Sequence, residues 1–335
     1  PLGYQRLLND ATRPLRGWFY PETIDRVESF LAEDHSTRPF FLSVGIDEPH
    51  RNNIARPDAG IPADSTLFTK TRYYDAERLD ARFVSAPPWL PNLPEIRRDF
   101  ASFREGVRIM DDYMGRVLHA LEHRGLADNT LVIVTTDHGI EFPGGKKTLS
   151  DQGLGVMLMM RGPGGFRGGR EIDALVSHLD IYPTILEAVG LPAKPWLRGK
   201  SLQPLLREQA PPLHEAVFGE QTYHGSLEAL RCIRTDRYKL VLRHDPVGPR
   251  MRQDGPSARI MESLGFYDRK IGHVELYDLY LDPQEACNRA EDPELAEVRR
   301  DLEARLRRWM EETGDCFPSG KFPPKPASLA AGNNR

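Results

Sequence analysis

The chain has 335 residues, an apolar fraction of 39% and a net charge of -4, enough to bury the core of two domains, or of one large and one small. The charge balance lacks the basic stripe of a nucleic-acid binder, and no stretch reaches the roughly 18 apolar residues a membrane span takes, so neither partner is expected. Proline and glycine stand at 28 each, and proline at that level exceeds the ~5% average and forecasts many ordered loops.

Three cysteines, Cys232, Cys287 and Cys316, are far apart and odd in number. They indicate no disulfide framework, although one bridge stays open. There is no Asn-x-Ser/Thr sequon and no signal-peptide pattern. Pro1 is not an initiator methionine, so the start of a longer chain is expected to have been removed, and a missing leader then says nothing about compartment. A periplasmic or secreted location is favoured, and an oligomer stays open.

In chain order, Ile24, Val27, Phe30 and Leu31 fall at helical spacing behind Pro21, which predicts a helix from Pro21 to Asp34. Pro39-Phe-Phe-Leu-Ser-Val-Gly-Ile46 reads as a buried strand ending in the polar run Asp47-Glu-Pro-His50-Arg51-Asn-Asn53. Residues 58–94 have no period and read as a long surface excursion. From Arg97 to Arg124, Phe103, Val107, Met110, Met114, Val117 and Leu121 recur at steps of three and four before Gly125, which predicts a helix with that stripe inward and its methionines filling core.

That helix feeds Thr130-Leu-Val-Ile-Val-Thr-Thr-Asp137-His138-Gly139. The unbroken apolar, β-branched run suits a strand covered on both faces of a parallel or mixed sheet. Ligands gather where such strands end. There Asp137 can ligate a divalent cation, His138 can ligate it or hold an anion, and Gly139 lets the chain turn. Lys146 or Lys147, on a Pro-Gly-Gly loop, could bring a positive charge to the same point. A strand end of this kind also serves as a plain polar turn.

Leu154–Met160 reads as another buried strand, and Asp180 as the cap of a helix closing at Gly190; His178 reads as structural. Beyond Pro204–Pro212 the runs shorten and alternate: Ala216–Gly219, Ala229–Arg234, Tyr238–Leu242 and Val274–Leu279. They predict an antiparallel sheet, covered by a helix with Leu295, Val298, Leu302, Leu306 and Trp309 on one stripe.

Taken together, several motifs resemble those of the sulfatases of the alkaline phosphatase superfamily. They are Pro39-Phe-Phe-Leu before Glu48-Pro-His50-Arg51, Asn129 to Gly139, His178-Leu-Asp-Ile-Tyr-Pro-Thr-Ile-Leu186, Gly199-Lys-Ser-Leu-Gln-Pro-Leu-Leu206, and Glu275 to Asn288. Within that family the heparan N-sulfatase (sulfamidase) branch shares the Phe142-Pro-Gly-Gly-basic pattern, Val217-Phe-Gly-Glu-Gln-Thr-Tyr-His224 and Trp309 to Asp315.

The resemblance implies an α/β fold: an alkaline-phosphatase-like mixed sheet flanked by helices, with a smaller carboxy-terminal α+β subdomain. Residues 1–212 would be the carboxy-terminal portion of the catalytic domain, 213–320 the antiparallel subdomain and 321–335 a disordered tail. It implies sulfate-ester or sulfamate hydrolysis, of a sulfated sugar, by a formylglycine hydrate attacking sulfur while calcium and basic side chains hold the sulfate oxygens. Asp137 and His138 match the second metal-ligand pair, Lys146 the cation on the sulfate, with Lys147 as runner-up, and His50 a contact to sulfate or leaving group. Glu220 and His224, read as following a strand, are placed at the pocket rim, where Glu220 would meet sugar hydroxyls or an amino group; the same stretch also serves as a polar turn.

This sequence departs from the family in two places. The formylglycine motif Cys/Ser-x-Pro-x-Arg is missing, Cys316-Phe-Pro-Ser-Gly320 being a near miss, and so is the first acidic metal pair. Both are expected in an amino-terminal region lacking here. A metal-dependent phosphodiesterase or phosphonate hydrolase using zinc, which imidazole suits better than calcium, and an inactive truncated scaffold remain the alternatives.

Overall fold

The computed structural model of the chain describes residues 20–53, 66–68, 79–207, 209–224, 226–247 and 251–324. The chain forms two compact units, residues 1–86 with 92–131, and residues 87–91 with 132–335. The tail expected to be disordered lies, from residue 325, outside the described residues.

In the first unit, helix α1 (Tyr20–Leu31) buries Ile24, Val27 and Leu31, as its spacing predicts. Two short strands, β1 (Asn52–Asn53) and β2 (Thr66–Leu67), pair antiparallel. Helix α2 (Pro94–His123) begins with a proline in its first turn, where the missing N–H costs nothing, and stops before Gly125 at φ +67°. Ile109 and Tyr113 of α2 pack with Ile24 and, at the margin, with Ile46 and Val117.

The buried stripe of α2 is rotated from the one its large apolar residues suggest. Ile96, Ala101, Gly106, Ile109 and Tyr113 are buried, whereas Phe103, Val107, Met110, Met114 and Val117 are only half-buried. A Cβ on Gly106 would stand 2.9 Å from the Phe68 carbonyl oxygen, so the face of closest approach is set by small side chains that a search for large ones passes over. On the same helix Asp99 takes a bidentate pair from Arg51 (2.8 and 3.0 Å), both buried, with the Phe68 ring under the guanidinium.

The strand expected at Pro39–Ile46 does not form among the described residues. The segment is extended and its exposure alternates, with Phe40, Leu42, Val44 and Ile46 half-buried and Phe41 68% exposed, but it joins no ladder. Period-two patterning specifies which face packs; it does not supply a partner strand.

In the second unit, β3 (Val132–Thr135) pairs with β4 (Leu158–Arg161). The pairing is antiparallel, and both strands are half-buried, with Met159 51% exposed. An antiparallel pair is compatible with the mixed sheet expected, but the expectation of strands buried on both faces is corrected: the loop between them closes back by way of α3 (Asp151–Leu154), so Leu154 is helical and β4 starts later than its apolar run. Helix α4 (Ile181–Ala188) follows. Asp180 does precede it, but its carboxylate is buried and accepts from the backbone of Ser177 (2.7 Å) and Lys200 (2.8 Å) and from His214 Nε2 (2.9 Å), so it ties three segments together.

The four alternating runs form one antiparallel sheet, ordered β5 (Ala216–His224), β6 (Ser226–Thr235), β7 (Tyr238–Arg243) and β8 (Val274–Asp278), with α5 (Pro256–Ser263) between the last two. Helix α6 (Ala296–Thr313) lays Leu302, Leu306 and Met310 on Ile233, Leu240 and Leu276. Alternate residues Leu230, Cys232 and Val241 face the other way and receive Leu149 from the β3–β4 loop. The sheet thus carries a helix on one face and that loop on the other. All three cysteines are free, and burial pushes the Cys232 thiol up to about 11.

Candidate functional site

The β3–β4 loop is held by backbone packed on backbone. Gly139 N donates to Gly153 O (2.9 Å) and Lys146 N to Ile140 O (2.8 Å). A Cβ on Gly139 would lie 1.9 Å from the Gln152 carbonyl oxygen, and one on Gly145 2.2 Å from that of Ile140, so only glycine fits at either point. Phe142 is fully buried beneath. The Thr148 hydroxyl holds Gly145 O (2.7 Å), the Ser150 hydroxyl holds Gly144 O, and Trp89 Nε1 donates to Pro143 O (2.9 Å).

This frame separates the two lysines that spacing could not. Lys147 adopts the left-handed conformation, φ +68°, uncommon for a side-chain-bearing residue, so the neighbours diverge. Lys146 turns inward, buried, with Nζ 3.2 Å from Glu141 Oε2. Lys147 is half-buried and its Nζ reaches Arg252 O at 3.1 Å. Gln253 donates to Lys146 O and in turn accepts from the Tyr267 hydroxyl (3.0 Å), so the segment after β7 braces the lysine from behind.

At the strand end, Thr135 Oγ1 meets His178 Nε2 at 2.9 Å, and the Asp137 side chain is 87% exposed. His138 Nδ1 donates to Gly139 O (2.8 Å), while its Nε2 lies 3.4 Å from Asp137 Oδ2.

The segment Glu220–His224 lies inside β5 rather than after a strand, and it is not a turn. The β5–β6 register shifts between Gln221 and Tyr223, so Glu220 and His224 face opposite ways. Glu220, opposite Arg231, lies 3.7 Å from that guanidinium, which is held by Asp315 at the end of α6. His224 faces the loop: partial burial lowers its pKa first, and the charges of Lys147, Lys146 and His138 lower it further, against an opposing pull from Glu141. His224 therefore feels the charges of His138, Lys146, Lys147 and Glu141 from the loop, whereas Glu220 lies on the helical side. His50 is an exposed residue of the first unit. Sequence reasoning missed Glu141, Gln253 and Trp89, none of which stands in a spacing that marks it.

Among the described residues no group of three or more His, Cys, Asp or Glu side chains could hold a metal ion. Calcium takes roughly six to eight oxygens, and Asp137 with His138 offers one carboxylate and an imidazole. The described residues alone therefore do not make a calcium site.

Residues 12–191 match the family model of the sulfatases, more than half of the chain. The chain belongs to the sulfatase family. Residues 142–247 of this sulfatase chain also match the model described as N-sulphoglucosamine sulphohydrolase, C-terminal. The human N-sulphoglucosamine sulphohydrolase is 30% identical over 331 residues, which cover 88% of this chain and 65% of that protein. An ulvan-active sulfatase of Formosa agariphila is 25% identical, with 83% of this chain and 52% of the relative covered. The chain thus spans about half to two-thirds of the length of these relatives.

Among solved structures, a 2-O GAG sulfatase aligns with a TM-score of 0.65 at 20% identity, over 97% of this chain and 70% of that one. A second, solved in complex with its substrate D-glucosamine-2-N,6-O-disulfate, aligns with a TM-score of 0.51 at 22% identity, over 65% and 41%. The fold is the α/β, alkaline-phosphatase-like fold of these proteins, with helices and antiparallel sheets.

Proposed function

We propose that this chain takes part in hydrolysis of a sulfate ester or sulfamate on a sulfated sugar. The observation that carries the reading is the set of cationic side chains on and facing the β3–β4 loop, buried Lys146 with Lys147 and His138, whose charges all act on His224, in a chain whose net charge is negative. Such a set of cations suits a compact tetrahedral anion, and preorganised positive charge there would offset charge that develops on sulfate oxygens as the bond to the leaving group breaks. The substrates in the names of the human relative and of the complexed neighbour make a sulfated glucosamine the favoured class.

In this reading Lys146 holds the sulfate, Lys147 and His224 border the substrate, and Glu220 is the remaining candidate contact. His50 keeps the role that the family resemblance implies, a contact to the sulfate or the leaving group. Asp137 and His138 are two members of a larger coordination set for a divalent ion, calcium by family resemblance. The nucleophile, a formylglycine, would come from sequence outside these residues, since they contain no Cys/Ser-x-Pro-x-Arg. The modular boundary at 212/213 belongs to the same proposal. The relatives named above are all sulfatases or sulphohydrolases, so phosphoryl transfer is not favoured.

The test is turnover of a glucosamine N-sulfamate and an O-sulfate by the complete gene product. Lys146→Met and Asp137→Ala should each lower turnover by about a hundredfold or more, the scale of losing one aligned electrostatic contact. Unchanged turnover in both variants overturns the reading, as does a complete gene product that cleaves neither substrate. Glu220→Ala without effect on either substrate removes that residue alone.

A further inference from the structure

The connection from α4 to β5 contains Leu191-Pro-Ala-Lys194-Pro-Trp196-Leu-Arg198-Gly-Lys200, a stretch the reading above does not use. Trp196 is 68% exposed and stacks on Tyr182 of α4, itself 45% exposed, with ring centroids 5.9 Å and planes 23° apart. Two large rings held together at the surface are more informative than a single exposed apolar residue.

The platform is anchored. A Cβ on Gly199 would stand 1.9 Å from Leu179 O, so the returning chain is pressed against the start of α4, where Lys200 N donates to the buried Asp180 carboxylate at 2.8 Å. The same end of α4 carries His178, which reaches Thr135, two residues before Asp137. The rings therefore lie at the end of the helix that borders the candidate site.

Charge defines what the platform suits. Lys194, Arg198 and Lys200 are exposed and interleaved with Trp196 at alternate positions. Arg198 donates to the Glu312 carbonyl (2.9 Å) and Lys200 Nζ to the Leu213 carbonyl (2.8 Å). These acceptors are neutral, so both positive charges remain to act on a ligand, in a chain whose net charge is -4. A flat aromatic face flanked by cations complements a sugar ring, whose C–H face stacks on indole, carrying sulfate groups along a chain.

We propose that Trp196 and Tyr182, with Lys194, Arg198 and Lys200, form a secondary binding site for a sulfated glycan chain, which holds the polymer beside the candidate centre. The inference rests on the sulfated-sugar reading above and extends it from the reacting group to the rest of the polymer.

The test measures binding of a sulfated glycosaminoglycan oligosaccharide and of its desulfated parent to the complete gene product, by calorimetry, alongside turnover of a monosaccharide sulfate. Trp196→Ala should weaken binding of the sulfated oligosaccharide roughly tenfold, the scale of one lost aromatic stack. Lys194→Glu should weaken it in a salt-dependent way. Both variants should turn over the monosaccharide sulfate normally, and the desulfated parent should bind poorly to all. Unchanged oligosaccharide binding in both variants overturns the inference. So does equal binding of the desulfated parent, tighter binding of a single-stranded nucleic acid than of the glycan, or a change of oligomeric state in Trp196→Ala, which would mark the face as a contact between copies. Binding that depends on Trp196 without any sulfate cleavage would sink the hydrolase reading and leave this one standing; cleavage with binding indifferent to Trp196 would do the reverse.

Discussion

Two buried lysines of the second unit, Lys239 and Lys146, solve the same problem differently. Lys239, on β7, is fully buried between Asp151 Oδ1 (2.8 Å) and Glu285 Oε1 (3.0 Å), and Glu285 also accepts from Asp151 N. It joins the sheet to the first residue of α3, at the far end of the glycine loop. The Lys146 side chain keeps 10% exposure, beside Glu141 at 3.2 Å, in a neighbourhood it shares with Lys147, His138 and His224. Two carboxylates around a sealed ammonium make a strut, because burying a charge is tolerated when it is well paired. Cations whose fields overlap repel one another, and an anion relieves that repulsion. One lysine holds the loop and the other is what the loop holds.

The largest effect is expected at Lys239. Lys239→Met removes the strut's cation and leaves two carboxylates facing each other, which should cost about 3–5 kcal/mol of stability in urea unfolding. The pH response carries a sign. Burial raises the Asp151 pKa, but Lys239 and then Arg234 outweigh it, and the group ends below its ordinary value. Its contribution is therefore present above the unfolded value and lost as pH falls through the folded one. Glu285 ends above its ordinary value, through burial that Lys239 only partly offsets, so its share runs oppositely, present at low pH and lost as pH rises. Stability of Lys239→Met that matches the parent throughout would refute the strut.

A smaller effect sharpens the other half. Sulfate should raise the melting temperature of the parent by preferential binding to the folded state, whose free-energy gain grows as RT ln(1 + [L]/Kd). Lys146→Met should lose most of that rise, measured as the difference with and without sulfate in each protein, since removing the cation beside buried Glu141 lowers the variant's own melting temperature. Equal sulfate stabilisation in both proteins would place the anion elsewhere.

The two lysines also show what a sequence discloses. The Asp137-His138-Gly139 strand end, the four strands of the second sheet and the α6 stripe are all encoded locally, by periodicity and by glycines that backbone contacts require. Lys146 and Lys147 are alike by spacing, and that their side chains diverge, one buried and one reaching Arg252, follows from a left-handed backbone turn that spacing does not reveal. Glu141 and Gln253 are long-range partners with no periodic signature. Glu220 and His224 are both even-numbered, which in a regular strand puts them on one face, and a single bulge reversed that. The Pro39–Ile46 run had every local mark of a strand, and local marks cannot specify what a strand pairs with.

His224 offers the finest discrimination, because its imidazole reports the field of the loop cations without any turnover. Its pKa lies below the ordinary 6.5, through partial burial first and then through Lys147, Lys146 and His138. A histidine with a depressed folded pKa contributes stability that is present above the unfolded value and lost as pH falls through the folded one, so acidification from neutrality should loosen the β5 end before the rest of the sheet. In an NMR titration the His224 midpoint should fall below 6.5. Lys147→Ala should move it upward, and Lys146→Met should do the same by a smaller step. Sulfate should also raise it in the parent, since a bound anion favours the imidazolium. A midpoint at the ordinary value, indifferent to both lysines and to sulfate, would mean that His224 does not feel the charge of Lys146, and the loop would then face something other than the end of β5.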